Sequence, residues 1–430
     1  MEYRRKTQLL FALAMLVNIV LGGWSLLFSQ EPVTIEFWHV HAETFGGPAI
    51  NELVERFNAQ NPDIRVVEKF NPNMYLGLTQ NLQAAIAAKN PPAITQLGNN
   101  WVEYGATNFP HVPIEEFLKN DSEGQAIVAK IPEGVLNIGR REGKLVAMIW
   151  SLSNPVLYYN VDMFKEAGLD PQNPPKTWKE LREVARQIKE KTGNYGLYLQ
   201  EPGDFWGQQA LIESNGAELL KKDGGKWVTG LDSEEAIEAF ELYADMALKD
   251  QTALHAPWDQ GMNAFVGGKV GMAITTIARR NYVESNANFT VQAAPFPLFE
   301  GKPRRVPGGG NVLMITAQKK KEQEAAWRFI KYLLSPEAMT IWTKGTGYVP
   351  IRLDVAEDPN YLKPFLDANP MMRVALKQLN DVVPWVNFPG KNATQIEQIL
   401  LDVRSAILTG QKAPREALKE AAAKINALLP

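Results

Sequence analysis

No cysteine occurs among the 430 residues of the chain. That excludes a disulfide framework and a thiolate metal site, and it excludes a lipid-modified cysteine as a membrane tether. Histidine is scarce as well, with four in all. His39 and His41 sit two apart at a probable strand end, but no third His or Cys is placed to complete a metal site with them. An excess of one charge is also missing. The 45 basic and 48 acidic residues leave a net charge of -3, which gives no footprint for nucleic acid or an anionic membrane surface. The chain has no short-period repeat, no low-complexity tract and no Gly-x-Ser-x-Gly elbow for a hydrolase nucleophile. A glycosidase needs two carboxylates at a defined separation, and the acids are numerous enough to leave that class open.

A hydrophobic content of 45% with 22% charged residues is that of a folded protein, and the length exceeds one core, so two large domains are expected. Arg4, Arg5 and Lys6 precede an uncharged run from Thr7 to Gln30, the charged start and apolar core of a signal sequence. Roughly 20 apolar residues suffice to span a bilayer, and no small-x-small cleavage site stands before Glu31. Residues 1–30 are therefore expected to be a signal peptide or a retained N-terminal membrane anchor. Either places the remainder outside the cytoplasmic membrane.

Beyond this segment, strand and helix patterns alternate at the rhythm of an α/β protein. Val33–Val40 reads as a strand, Pro48–Asn58 as a helix, Ile64–Phe70 as a strand, Leu78–Lys89 as a helix and Ala93–Leu97 as a strand. After Pro155, helices are expected at Trp178–Lys191 and Ser233–Lys249, with strands at Tyr195–Leu199 and Val270–Thr276. Gln395–Leu429 reads as helical. Between Ser151 and Leu181 each step has a local cause: the apolar, aromatic Pro155–Tyr159 suits a strand, Pro174 and Pro175 forbid helix, and Thr177 followed by Glu180 makes a capping box.

The Ser151–Leu181 run resembles the signature of family 1 extracellular solute-binding proteins, the receptors of carbohydrate ATP-binding-cassette (ABC) importers, and is similar to their glycerol-3-phosphate and sugar branch. Further motifs carry the resemblance: Phe37–His39 (FWH), Arg56–Ile64 (RFNAQNPDI), Val266–Met272 (VGGKVGM), Thr346–Ile351 (TGYVPI) and Thr409–Leu418 (TGQKAPREAL). It implies a two-lobed periplasmic binding protein fold, with the ligand cleft between α/β lobes and a hinge of several extended crossings. The crossings are expected near Met148–Ser151, Pro307–Asn311 and Met339–Lys344. Lobe 1 is then 31–149 plus 307–340, and lobe 2 is 150–306 plus 341–430. The resemblance further implies a non-enzymatic, monomeric receptor in the periplasm, tethered there if the N-terminal segment is retained. It would need no cofactor or metal and would have a sugar or polyol and the importer permease as partners.

A sugar ring needs flat aromatic surfaces for its C–H face and planar polar groups for its hydroxyl rim. Trp38, Tyr75, Trp101, Trp150, Trp206, Trp258, Tyr348 and Trp385 are candidate platforms. By resemblance, Tyr75, Ser153, Gly309 and Tyr348 match ligand-facing positions of the glycerol-3-phosphate receptors. Gly308, Gly309 and Gly310 permit backbone angles closed to other residues. Because a strand, Asn311–Thr316, follows them instead of a helix, a phosphate loop is disfavoured, and close approach to a ligand or a flexible hinge remains. Two departures bear on the ligand. Asn99, beside Asn100 and Trp101, stands where those receptors have a glutamate, and their late ligand-binding arginine falls near Pro389. An anionic phosphate wants a guanidinium or ammonium. A neutral sugar or glycoside such as glucosylglycerol, sucrose or trehalose is therefore expected, with Asn99, Asn100, Asn311 and Asn387 supplying amides. Arg279 or Arg280 could replace the missing cation, which keeps glycerol-3-phosphate or a glycerophosphodiester as the alternative.

Overall fold

The computed structural model describes residues 31–430. The signal peptide or anchor expected at 1–30 lies outside the described residues. Among the described residues, no helix is long and apolar enough to cross a membrane.

Two five-stranded sheets organise the chain into two lobes. The first has the order Ile64–Phe70, Val33–His39, Ile94–Gly98, Gly309–Ile315, Met148–Ser153, and the second Ala253–Leu254, Tyr195–Leu199, Val270–Thr276, Pro155–Asn160, Val291–Pro295. In the first, Val33–His39 runs parallel to both its neighbours, while Gly309–Ile315 returns antiparallel between Ile94–Gly98 and Met148–Ser153. In the second, Val270–Thr276 is parallel to Tyr195–Leu199 and antiparallel to Pro155–Asn160. The central strands are buried along their whole length, because helices cover both faces. The helix Trp178–Thr192 shows the local logic. Thr177 Oγ1 accepts from the Glu180 amide at 3.2 Å while Glu180 Oε2 accepts from the Thr177 amide at 3.3 Å, and Gly193 ends the helix at φ 73°. Its buried Trp178, Leu181, Ala185 and Ile188 recur at helical spacing.

The strand Met148–Ser153 belongs to the first sheet along its whole length, and Pro155–Asn160 belongs to the second. The crossing therefore falls on the one residue between them, Asn154, rather than at Met148–Ser151. A second crossing follows Val306–Pro307, which pairs with Val382–Val383 before Gly309 enters the first sheet. The extended crossing expected at Met339–Lys344 is instead the interior of a helix, Pro336–Gly345, packed on helix Gly47–Gln60. Ser335 caps it from the Ala338 amide, and Pro336 at its first turn pre-sets the helical φ. The chain becomes extended only afterwards, where the Val349 amide donates to the Leu152 carbonyl at 2.9 Å.

Behind this point three rings stack. Trp342 lies 4.4 Å from Trp150 and 5.4 Å from Tyr348 between ring centroids, with interplanar angles of 20° and 12°. Its Nε1 donates to Ser151 Oγ at 3.0 Å. We predict that Trp342→Ala lowers unfolding free energy by about 3–5 kcal/mol, the range for emptying a large aromatic core site. Urea denaturation checks this, and a loss below ~1 kcal/mol would show that the stack is not structural.

Candidate ligand-binding site

The carboxyl ends of parallel strands, where ligands of open α/β sheets gather, face each other between the lobes. A narrow cavity of about 30 Å³ lies there. Phe45, Met74 and Tyr75 come from the first lobe, and Gln200, Pro202, Asp204, Trp206, Trp258 and Thr276 from the second. Ser153, Gly309, Gly310, Tyr348 and Trp385 complete the lining from the crossings and the C-terminal region.

The walls are fixed by contacts behind them. Asn311 Nδ2 donates to the Tyr75 hydroxyl at 3.0 Å. Trp258 Nε1 donates to Thr275 Oγ1 at 3.2 Å, and that hydroxyl donates to Gln200 Oε1 at 2.6 Å. Asn73 and Met74 hold φ of 63° and 54° at the start of the Tyr75 helix, an uncommon backbone that places Tyr75 against Trp385, 5.9 Å away in an edge contact. Gly310 has φ 115°, and a Cβ there would stand 2.0 Å from the Ser151 carbonyl oxygen. A Cβ on Gly309 would meet Ser153 Oγ and the Trp206 ring, each at 2.8 Å. The glycines are thus required by close packing of strand against strand and indole.

Eight of the residues expected at the site meet in this cavity: Tyr75, Ser153, Trp206, Trp258, Gly309, Gly310, Tyr348 and Trp385. The others do not line it. Trp38 is buried on its strand, its Nε1 donating to Glu36 at 2.8 Å and its ring covered by the Lys69 ammonium at 4.6 Å. Trp101 packs edge-on to Tyr104 within the first lobe. Asn311 supports Tyr75 from behind. Asn100 Nδ2 donates to Glu397 Oε1 at 3.1 Å, and Asn99 Nδ2 lies 3.3 Å from the carbonyls of Gly308 and Gly309. Arg279 is held behind the wall, its guanidinium 4.1 Å from the Trp258 centroid and bonded to Asp259 Oδ1 at 2.6 Å and to the Thr44 carbonyl at 2.9 Å. Arg280 is bonded to Glu284 and to the Lys344 carbonyl.

Sequence reasoning missed Phe45, Met74, Gln200, Pro202, Asp204 and Thr276. For Gln200–Asp204 a signal existed: the polar EPGD loop directly follows the strand Tyr195–Leu199, at its carboxyl end. Arg404 buttresses this loop, donating to the carbonyls of Asp204 at 2.8 Å and Pro202 at 2.9 Å.

Two polar features stand out in the lining. Trp206 Nε1 is buried without a hydrogen-bond partner. Asp204 is the only carboxyl in the lining among the described residues, its side chain accepts from the Trp206 amide at 3.1 Å, and burial pushes it up to about 6. Among the described residues, no Lys, Arg or His lines the cavity. The arrangement offers aromatic faces with hydroxyl, amide and carboxyl groups among them and, among the described residues, no cationic side chain to counter an anion.

The model of the bacterial extracellular solute-binding proteins matches residues 52–370. The chain belongs to that family. Among curated relatives of this receptor, the sn-glycerol-3-phosphate-binding periplasmic protein UgpB of Escherichia coli strain K12 is 28% identical over 421 residues, covering 93% of each chain. Among solved structures, maltose-bound T. maritima MalE3 is similar with a TM-score of 0.81 at 24% identity, covering 92% of this chain and 100% of that one. UgpB from Mycobacterium tuberculosis in complex with glycerophosphocholine gives 0.79 at 21%, covering 92% and 98%. These structures share the two-lobed fold with the receptor.

Three buried carboxyls carry raised values. Burial raises Asp204 to about 6, Glu213 to about 7 and Glu397 to about 8. A raised carboxyl binds more protons folded than unfolded, so stability is fully present below the unfolded value near 4 and falls as pH rises through the folded values. We predict that the unliganded receptor melts at a higher temperature at pH 6.5 than at pH 8, above the range in which the buried His39 and His41, lowered by desolvation, oppose the carboxyls, and that Glu397→Gln flattens the slope. Calorimetric melts across that range check it; a midpoint rising toward pH 8 would contradict it.

Proposed function

We propose that this receptor binds a neutral sugar or glycoside, of the kind of glucosylglycerol, sucrose or trehalose, in the interlobe cavity. It delivers the ligand, as a monomer outside the cytoplasmic membrane, to the permease subunits of an ABC importer. The observation that carries the reading is that no cationic side chain lines the cavity among the described residues, combined with five aromatic side chains of Tyr and Trp beside Phe45. Arg279 and Arg280, the two candidates for a phosphate-binding cation, are engaged by carboxylates and carbonyls outside it. Trp206 Nε1 would donate to a sugar hydroxyl, and Asp204, as carboxylate, would accept from one. A single carboxyl in the lining also supports binding over glycoside hydrolysis, which needs two.

Glycerol-3-phosphate or a glycerophosphodiester is the competing reading, supported by the relatives at 28% identity. Against it, Pro389 stands near the position of the late arginine in the resembling receptors. A thermal-shift panel separates the two, because a ligand specific to the folded state raises the melting temperature by mass action. We expect neutral disaccharides or glycosides to shift the receptor equally at 0.1 M and 1 M salt, where the Debye length falls from about 10 to 3 Å. A salt-sensitive response to glycerol-3-phosphate, with none to neutral sugars, would overturn the proposal. We also predict that Tyr348→Ala or Trp206→Ala weakens binding of the neutral ligand by roughly 1.5–3 kcal/mol, the scale of one buried large side chain. Calorimetric titration measures this, and wild-type affinity in both variants would remove the rings from the binding surface.

A further inference from the structure

The loop that brings Gln200, Pro202 and Asp204 to the cavity is held in two different ways along its length. Its start is tied within the second lobe: Gln200 Oε1 accepts from the Thr276 amide at 3.1 Å, the Glu201 amide donates to the Tyr198 hydroxyl at 3.2 Å, and Glu201 Oε2 lies 2.8 Å from His255 Nδ1. Its end is not. Pro202 and Asp204 are buried outside any strand or helix, and among the described residues the donors that reach their carbonyls come from one side chain, Arg404. The same guanidinium donates to Gln208 Oε1 at 3.1 Å and lies 3.9 Å from the Glu201 carboxylate. Arg404 stands on helix Ala393–Leu408, buried on the face that also carries Glu397, whose carboxyl accepts from Asn100 of the first lobe.

We propose that Arg404 is a positioning residue of the ligand site: its guanidinium fork holds the Pro202 and Asp204 carbonyls, and through them sets where the Asp204 carboxyl and the Trp206 indole stand in the cavity wall. The inference rests on the interlobe cavity being the ligand site and holds whether a sugar or a phosphate ester occupies it. The link is short. Asp204 Oδ1 accepts from the Trp206 amide at 3.1 Å, so the carbonyl that Arg404 grips, the carboxyl that lines the cavity and the first residue of helix Trp206–Ser214 are fixed together. A planar fork serves two carbonyls in one geometry, which an ammonium on a flexible stem does not reproduce. Without the fork, two buried carbonyls lose their donors, and the segment turns outward to find water. A loop that the ligand must first put in order binds it more weakly than one already in place.

Arg352 is the control. It is buried as Arg404 is and donates to the Leu334 carbonyl at 2.8 Å, but it faces a separate hollow beside Phe57 and Tyr332 and has no part in the cavity lining. The unliganded full chain is compared as wild type, Arg404→Met, Arg404→Lys and Arg352→Met by hydrogen–deuterium exchange. The same proteins are titrated calorimetrically with sucrose, trehalose, glucosylglycerol and glycerol-3-phosphate, with circular dichroism melts to verify folding. We expect Arg404→Met to speed exchange of the Trp206 amide about tenfold or more and to weaken whichever probe binds wild type about tenfold or more, with Arg404→Lys in between. Arg352→Met is expected to lower the melting temperature as well, yet to leave both readouts within about twofold of wild type. If Arg404→Met does not fold, Arg404→Lys carries the same comparison. Wild-type exchange at Trp206 or wild-type affinity in the folded Arg404 variants would overturn the proposal, as would an equal loss of affinity in Arg352→Met. Failure of all four probes to bind folded wild type would overturn the neutral-sugar reading, and the exchange comparison would still decide the role of Arg404.

Discussion

One buried residue, Asn154, joins the two lobes and decides where the site can be. It is the sole residue between a strand of the first sheet and a strand of the second, and it is inaccessible to solvent. Its polar groups are matched in three directions: Nδ2 donates to the Ala375 carbonyl at 2.8 Å, Oδ1 accepts from Gln378 Nε2 at 3.1 Å, and its carbonyl accepts from the Ile277 amide at 3.0 Å. Buried polar groups demand such partners. The strand ends that meet there then carry the cavity floor, because Ser153 pairs with Gly309 in one sheet and Pro155 with Thr276 in the other.

From that floor outward, the aromatic walls are held by structure rather than by one another alone. Tyr348 is the front ring of the stack through Trp342 to Trp150, Trp258 is backed by the Arg279 guanidinium, and Tyr75 is pinned by Asn311. The same contacts bridge the lobes. Arg279 reaches from the second lobe to the Thr44 carbonyl of the first, and Asn100 reaches the other way to Glu397 on the C-terminal helix Ala393–Leu408. The Arg279 guanidinium is engaged in the first of these bridges and by Asp259, and among the described residues the only ionisable acid or base of the lining other than its tyrosines is Asp204.

Much of this was legible in the sequence where the cause is local. Thr177 and Glu180 announced their capping box, and the apolar runs at Ile64–Phe70, Tyr195–Leu199 and Val270–Thr276 became strands with the bounds read from them. Helix Leu78–Lys89 begins earlier, at Met74, because Asn73 and Met74 adopt left-handed angles that no pattern of side chains announces. Met339–Lys344 read as a crossing by resemblance, yet Ser335 and Pro336 start a helix there. The site was half legible. Rings such as Trp206 and Trp385 stood out by type, whereas Phe45, Gln200 and Thr276 reach the cavity through pairings far apart in the chain. Asn99, Asn100 and Asn311 were recognised as polar groups near the cleft, but whether an amide faces the cavity, supports a ring or spans the lobes is decided by partners such as Glu397 and Tyr75.

The account holds that two lobes, joined through Asn154 and a few short crossings, close on a ligand that touches both. Small-angle scattering of the full receptor, alone and saturated with the neutral saccharide that raises its melting temperature, tests that claim most directly. The account predicts a smaller radius of gyration in the saturated sample, as expected of hinge closure around a ligand. An unchanged radius of gyration at saturation would contradict it.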